Sequence, residues 1–189
     1  MRVISGKFRS RPLNSLRGMH LRPTSDRLRE TLFNVLAAGN PACFEGTVWL
    51  DLCAGTGAVG IEALSRGAAK VYFVDSSTPA AGLIQRNLAS LGLVDGFEVL
   101  REDVTRALRE LQDRDFTAHF IFLDPPYRIE KIYAQALQQL AQSRLLQPET
   151  VVIAEHEKRF DPGDTFAPLQ RYRKLQQGDA ALSFYRISA

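Results

Sequence analysis

Phe120-Ile121-Phe122-Leu123 is an apolar run that closes on Asp124-Pro125-Pro126-Tyr127, a set of residue types suited to work on a planar amine. The two prolines fix φ near −65° and carry no N–H, which leaves carbonyl oxygens as fixed acceptors. Asp124 and the Pro125 carbonyl then accept from the two hydrogens of one exocyclic amine of a nucleobase, while Tyr127 stacks on the base, a contact worth ~1–3 kcal/mol. The lone pair of such an amine is delocalised into the ring and is a poor nucleophile. Two acceptors pulling on its hydrogens favour a pyramidal nitrogen and offset the positive charge that develops as it attacks an electrophilic carbon. Taken alone, the same four residues also describe a rigid Pro-Pro turn with a capping acid.

A second constellation runs from Val48 to Gly60. An apolar stretch delivers Asp51, then come glycines at 55, 57 and 60, then a helix from about Ala58. Gly55 and Gly57 let backbone approach a ligand with no Cβ in the way. Asp75, at the end of the next apolar run, stands where a carboxylate accepts from both hydroxyls of a ribose. Gly55 to Gly60 formally satisfies the dinucleotide pattern G-x-G-x-x-G. Asp51, however, lies four residues before the first glycine, where it suits an α-ammonium and repels a pyrophosphate, so S-adenosylmethionine fits better than NAD. Asp103 is placed to accept from an adenine amine or, more simply, to cap the helix that starts at Val104. Cys53 sits inside the loop among the cofactor-contacting positions, as a small packing residue rather than a nucleophile.

These residues need strands to carry them. Apolar runs at 48–52, 71–74, 97–100, 120–123 and 151–154 alternate with helical periodicity at 58–66, 79–91, 104–111 and 130–141, the last with Ile129, Tyr133, Leu137 and Leu140 on one side. Repeated βα units predict a mostly parallel sheet covered by helices on both faces. The runs 172–175 and 181–187 follow each other without a helix and predict a terminal antiparallel hairpin. Upstream, 2–5 and 8–13 read as a short β-hairpin about Gly6. A helix then begins near Thr24 or Ser25, carries Leu28, Leu32, Val35 and Leu36 on one side, and ends at Gly39.

Charge is unevenly placed. Residues 1–30 hold eight basic side chains against two acidic ones, a net of +6, while the remainder holds 16 basic and 19 acidic, a net of −3. A basic leader on a mildly acidic body suits a polyanion bound at one end. On an extended strand Lys7, Arg9 and Arg11 project from one face, either to track phosphates or simply as a solvated surface strand. No linker rich in Pro, Gly or Ser marks a clean cut; the expected division is a basic, RNA-contacting arm and helix over 1–42 and a methyl-donor-binding catalytic body over 43–189.

At 189 residues with 45% hydrophobic and 24% charged side chains, wholesale disorder, collagen-like sequence and coiled coil are excluded. Two cysteines, Cys43 and Cys53, make neither a disulfide framework nor a zinc cluster, and His20, His119 and His156 show no metal-ligand spacing, so no metal is expected. No run approaches the ~20 apolar residues of a membrane span. A cytoplasmic monomer is the expectation.

Asp51 to Gly57 and Asp124 to Tyr127 resemble the acidic glycine loop and the (Asp/Asn)-Pro-Pro-(Tyr/Phe) motif of the Rossmann-like, S-adenosylmethionine-dependent methyltransferases. Together with Arg2 to Lys7, Arg22 to Asn34 and Glu62 to Ala68, they are similar to the RsmD family of bacterial 16S rRNA guanine-N2 methyltransferases over nearly the whole chain. The resemblance implies a seven-stranded sheet with a reversed last strand. It also implies methyl transfer to the N2 amine of one guanine, with a partly or fully assembled 30S particle as substrate. Carried over by position, Asp51, Gly55, Gly57, Asp75 and Asp103 hold the cofactor and Asp124 to Tyr127 the guanine. Two positions depart from the family: Cys53 stands where Phe is common, and Asp75 is one methylene shorter than the usual Glu. Arg22 and Arg27 belong to a segment divided evenly between RNA contact and helix-surface ion pairing. An adenine-N6 or other amino-methyltransferase, and a non-catalytic RNA-binding assembly factor, are the alternatives.

Overall fold

The computed structural model describes residues 1–15, 25–126 and 129–188. Tyr127 and Arg22, both predicted to be functional, lie outside the described residues, as do His20 and Thr24.

Among the described residues, eight strands form a single mixed sheet, and five α-helices pack on its two faces. The strands β1 (Val48–Leu52), β2 (Lys70–Val74), β3 (Phe97–Leu100), β4 (Phe120–Leu123) and β5 (Val151–Glu157) are parallel. Between them run α2 (Ala58–Ser65), α3 (Thr78–Ser90), α4 (Val104–Gln112) and α5 (Lys131–Ala141), and α1 (Asp26–Ala37) precedes β1. The strands β6 (Thr165–Phe166), β7 (Leu169–Gln177) and β8 (Ala180–Ile187) add on antiparallel, giving the order β3-β2-β1-β4-β5-β8-β7-β6. The α/β class and the terminal hairpin match expectation. The sheet has eight strands rather than seven, because the two-residue β6 pairs with the start of β7.

Alternation of side chains across the strands builds two cores. Trp49, Phe73, Phe122, Ile153 and Phe184 face one way, beneath α1 and α2; Leu50, Leu52, Leu123, Val152 and Tyr185 face the other, beneath α4 and α5. Tyr133, Leu137 and Leu140 are buried as their spacing predicted, but Ile129 precedes α5 and stays exposed. Ser25 caps α1 through the Leu28 N–H at 3.1 Å.

The basic leader departs from the expected hairpin. One isolated antiparallel bridge, Arg2 with Pro12, closes it, and residues 5–10 form turns, with Ser10 at φ 68°. Lys7, Arg9 and Arg11 therefore do not line one face of a strand. Val3, Phe8 and Leu13 instead bury in the same core as α1, α2 and β1, and Gly6 approaches Ser65 so closely that a Cβ would lie 1.8 Å from its carbonyl oxygen. Glu62, fully buried on α2, accepts the N–H groups of Ile4 at 2.7 Å and Ser5 at 3.0 Å.

Candidate functional site at the carboxyl edge of the sheet

From β1 the chain winds outward to β2 and β3, then returns to place β4 on the other side of β1. In an open α/β sheet, ligands bind outside the carboxyl ends of the strands at such a reversal. The parallel register aligns Leu52 with Val74 and with Leu123, so the next residues, Cys53, Asp75 and Asp124, form a row across β1, β2 and β4. Backbone bonds from Ala54 N to Val74 O (2.9 Å) and from Asp124 N to Leu52 O (3.2 Å) continue the ladder into that row.

Each carboxylate is held differently. Asp51 is buried and its Oδ2 accepts the Gly60 N–H at 2.9 Å. Burial pushes its carboxyl up to about 7 despite that bond, with the nearby Asp75 adding to the shift. Asp75 accepts the Gly55 N–H at 2.8 Å on Oδ2 and the Ser77 N–H at 2.9 Å on Oδ1. A carboxylate oxygen has two lone pairs, so each retains capacity for a ribose hydroxyl. Asp103 caps α4: the Arg106 N–H at 3.0 Å and the Thr105 hydroxyl at 2.7 Å both donate to Oδ1, and these bonds, the hydroxyl's foremost, hold its carboxyl below the usual range. The simpler of its two sequence readings is thus realised in the structure.

The loop glycines answer to different constraints. Gly57 is the N-cap of α2 at φ 75°, where its N–H donates to Ala54 O. Gly60 has ordinary backbone but no room: an added Cβ would meet the Phe73 ring at 2.3 Å, so it sets how closely α2 approaches β2. At Gly55 the position of a Cβ has nothing nearer than the Cys53 carbonyl at 4.0 Å, and that side of the loop is open to a ligand. Cys53 follows β1 at φ 62°. Burial, reinforced by Asp124, Asp75 and Asp51, pushes its thiol well above the ordinary value, which keeps it neutral and removes it as a nucleophile.

Asp124 is half-buried, Pro125 buried and Pro126 exposed, with the Pro126 carbonyl accepting the Ile129 N–H at 2.9 Å. Two supporting residues were missed in the sequence. Asn87, fully buried on α3, donates to Thr56 O in the glycine loop at 3.0 Å and to Asn14 O at 3.2 Å, while its Oδ1 accepts the Asn14 N–H at 2.8 Å. Glu155 of β5 lies beside Asp124 in register and is buried. An asparagine on a helix and an acid late in a strand carry no motif that would have flagged either.

Among the described residues, the predicted RNA residues Lys7, Arg9, Arg11 and Arg27 do not gather at this edge. The Lys7 N–H donates to Ser65 O at 2.7 Å and Arg11 Nη2 to Ser90 O at 3.0 Å, so their segment covers the carboxyl ends of α2 and α3. Eight residues of α2 separate Ser65 from the glycine loop, about 12 Å. Positive side chains favour such helix ends through the peptide dipoles, which gives the leader a structural use beside any ligand. Arg27 lies in the first turn of α1, and the ion pairing foreseen there falls to Arg29, buried between Asp26 (3.0 Å) and Glu62 (3.8 Å). His119 accepts the Val48 N–H and His156 pairs with Ser183, both structural; no metal cluster occurs among the described residues. An open hollow of about 520 Å³ lies elsewhere, lined by residues 112–117 ahead of β4 and by Arg144. No helix among the described residues is long and apolar enough to cross a membrane.

The family model described as "Conserved hypothetical protein 95" matches residues 1–186. The chain is 36% identical over 186 residues to the "Putative rRNA methyltransferase YlbH" of Bacillus subtilis, covering 98% of each. It is 31% identical to the "Ribosomal RNA small subunit methyltransferase D" of Escherichia coli, covering 100% of this chain and 91% of that one. The solved structure of the "Putative methyltransferase yhhF" of Escherichia coli superposes with a TM-score of 0.83 at 27% identity, over 99% of this chain and 97% of that one. With a glycine loop, a carboxylate row and a Pro-Pro turn on one edge of this sheet, the chain belongs to the conserved hypothetical protein 95 family of RsmD-like methyltransferases.

Proposed function

We propose that the protein transfers a methyl group from S-adenosylmethionine to the exocyclic N2 amine of a guanine in 16S rRNA, acting on a partly or fully assembled small ribosomal subunit. The observation that carries this reading is the row across the reversal point, with Asp75 one strand from Cys53 on one side and Asp124 one strand away on the other. Cofactor acceptors and an amine acceptor thereby share one edge. The rRNA substrate is supported by the names of the two relatives, and guanine N2 by the resemblance of the Asp124 turn.

The residues fit the cofactor. Asp51 is a buried carboxylate whose ionisation is disfavoured until a cation arrives, which suits the α-ammonium. Asp75 would hold the ribose through the lone pairs left by Gly55 and Ser77, Gly55 and Gly57 admit the ligand against backbone, and Asp103 would meet the adenine amine. Cys53 packs beneath as a neutral side chain. When bound, S-adenosylmethionine supplies a methyl group made electrophilic by the sulfonium that bears it.

The chain's own part is to position an amine. Asp124 and the Pro125 carbonyl accept hydrogen bonds from its two N–H groups and stabilise the positive charge that grows on nitrogen until one of those protons is lost, Pro126 stiffens the turn, and Tyr127 would stack on the base. Residues 1–42 serve as an RNA-contacting extension of the body 43–189, in which Lys7, Arg9, Arg11, Arg22 and Arg27 would contact phosphates. The test is transfer of labelled methyl from S-adenosylmethionine to undermethylated 30S particles, protein-free 16S rRNA and duplex DNA in parallel. Label in particles or rRNA supports the reading; label in DNA alone overturns it.

A further inference from the structure

The two outer strands carry a feature that the methyl-transfer reading does not use. β7 and β8 pair with a register shift between Arg171 and Arg173, which leaves Tyr172 in a bulge. A bulge re-aims a side chain that regular pairing would fix. Tyr172 is 48% exposed and is the one aromatic among the exposed large hydrophobic residues described, the others being Val94 and Ile129. The Arg186 guanidinium stacks 4.8 Å from its ring centroid, and the buried Phe184 ring lies 6.3 Å away behind it.

Charge separates the two faces of β7. Arg171 and Lys174, on one face, bind Asp161, and Arg171 also binds Asp164. Arg173 pairs across with Phe184 on the other face, beside Tyr172 and Arg186. Both Arg173 and Arg186 are exposed, and neither takes part in any ion pair found among the described residues. An acidic peptide would satisfy the two arginines and leave the ring unused. Single-stranded RNA uses both, because an unstacked base lies on an aromatic or guanidinium plane while cations hold the adjacent phosphates.

We infer that the β7–β8 edge is a second RNA-contact surface, where the Tyr172–Arg186 stack receives an unpaired base and Arg173 and Arg186 hold the flanking phosphates. The inference rests on the reading of the protein as an RNA-modifying enzyme. In the strand order β4-β5-β8-β7, three strand spacings, about 14 Å, separate β7 from β4. Register sets Tyr172 level with Ile121 and Phe122, two to three residues back from Asp124, which adds about 7–10 Å along the strands. An RNA strand that leaves the site across this face of the sheet would meet both. Phe184 and Phe122 face the same core, so the platform and the side chains of α1 stand on one side of the sheet.

The experiment compares the full chain with Tyr172→Ala, Tyr172→Phe and the double variant Arg173→Gln/Arg186→Gln. Each is measured for affinity to protein-free 16S rRNA across a salt series, for KM and kcat of methyl transfer, and for S-adenosylhomocysteine binding. Loss of the ring is expected to weaken RNA binding about 5- to 150-fold, Tyr172→Phe to restore it, and the double glutamine variant to lower the salt slope by about 1.4, or 0.7 per phosphate contact. KM for RNA should rise while kcat and cofactor binding stay unchanged. Wild-type RNA affinity in a folded Tyr172→Ala, or an unaltered salt slope in the glutamine variant, overturns the inference and leaves the enzymatic reading intact. Wild-type protein that binds cofactor yet neither binds nor methylates RNA overturns both.

Discussion

Asp51 Oδ2 accepts the Gly60 N–H at 2.9 Å, so the first turn of α2 holds the carboxylate that is buried at the end of β1. A single backbone donor does not offset the loss of water around a buried charge, and the folded chain keeps this group protonated up to about pH 7.

Because Asp51 binds its proton more tightly in the folded chain than in the unfolded one, the stability it contributes is full below its ordinary value of 3.8. That contribution is withdrawn at about 1.4 kcal/mol per pH unit as pH rises from there through about 7. A bound α-ammonium favours the ionised form and reverses the preference. Affinity for S-adenosylhomocysteine should therefore strengthen by up to about tenfold per pH unit on the approach to 7 and level off above it, while Asp51→Asn shows a flat profile. Calorimetric titration between about pH 5.5 and 8.5 checks this, and a flat wild-type profile would remove the ammonium from Asp51.

Asp75→Ala should weaken cofactor binding by about 1.5–3 kcal/mol, the worth of charge-assisted hydrogen bonds. It also releases the Gly55 and Ser77 N–H groups that now fix the loop. Unchanged affinity in calorimetry would exclude a ribose contact.

The strands that end in this site were legible, and the reason is chemical. β1, β3 and β4 match their predicted limits; the apolar runs of β3 and β4 stop at Arg101 and Asp124, charged residues that cannot stay in the core unpaired, whereas β1 carries the buried Asp51 and gives way to the glycine loop at Cys53. β5 continues three residues past Ala154, through Glu155, His156 and Glu157, which pattern alone reads as loop. His156 is buried there because Ser183 and the Glu157 carbonyl satisfy both ring nitrogens. The leader was misread for a related reason. Alternating Lys7, Arg9 and Arg11 imitate a strand, whereas Gly6 and Ser10 turn the chain so that Phe8 can enter the core.

Glu62 and Arg29 show the same blind spot, since charged residues are assigned to the surface by default. Both are fully buried, and Glu62 also binds Arg66 at 2.8 Å. Removing one member of such a network leaves the other uncompensated, so Glu62→Ala should cost about 3–5 kcal/mol of stability. It should also loosen the leader that Ile4 and Ser5 attach to it. Denaturant unfolding measures the first effect and amide exchange at Ile4 and Ser5 the second. A loss under about 1 kcal/mol would show that neither the buried pairs nor the leader's attachment depends on Glu62.

Asp124→Ala separates binding from turnover. Its kcat should fall by about 10²–10³, the usual loss of one preorganised acceptor or donor at a developing charge, with cofactor affinity retained. Full turnover would take the reacting amine away from Asp124.

The most direct measurement is the identity of the methylated nucleoside formed when the protein, labelled S-adenosylmethionine and undermethylated 30S particles are combined, the RNA digested and its nucleosides separated. The account predicts label in N2-methylguanosine, formed about 10²–10³-fold more slowly with Asp124→Ala. Label in N6-methyladenosine, or cofactor binding with no label in any RNA, would contradict it.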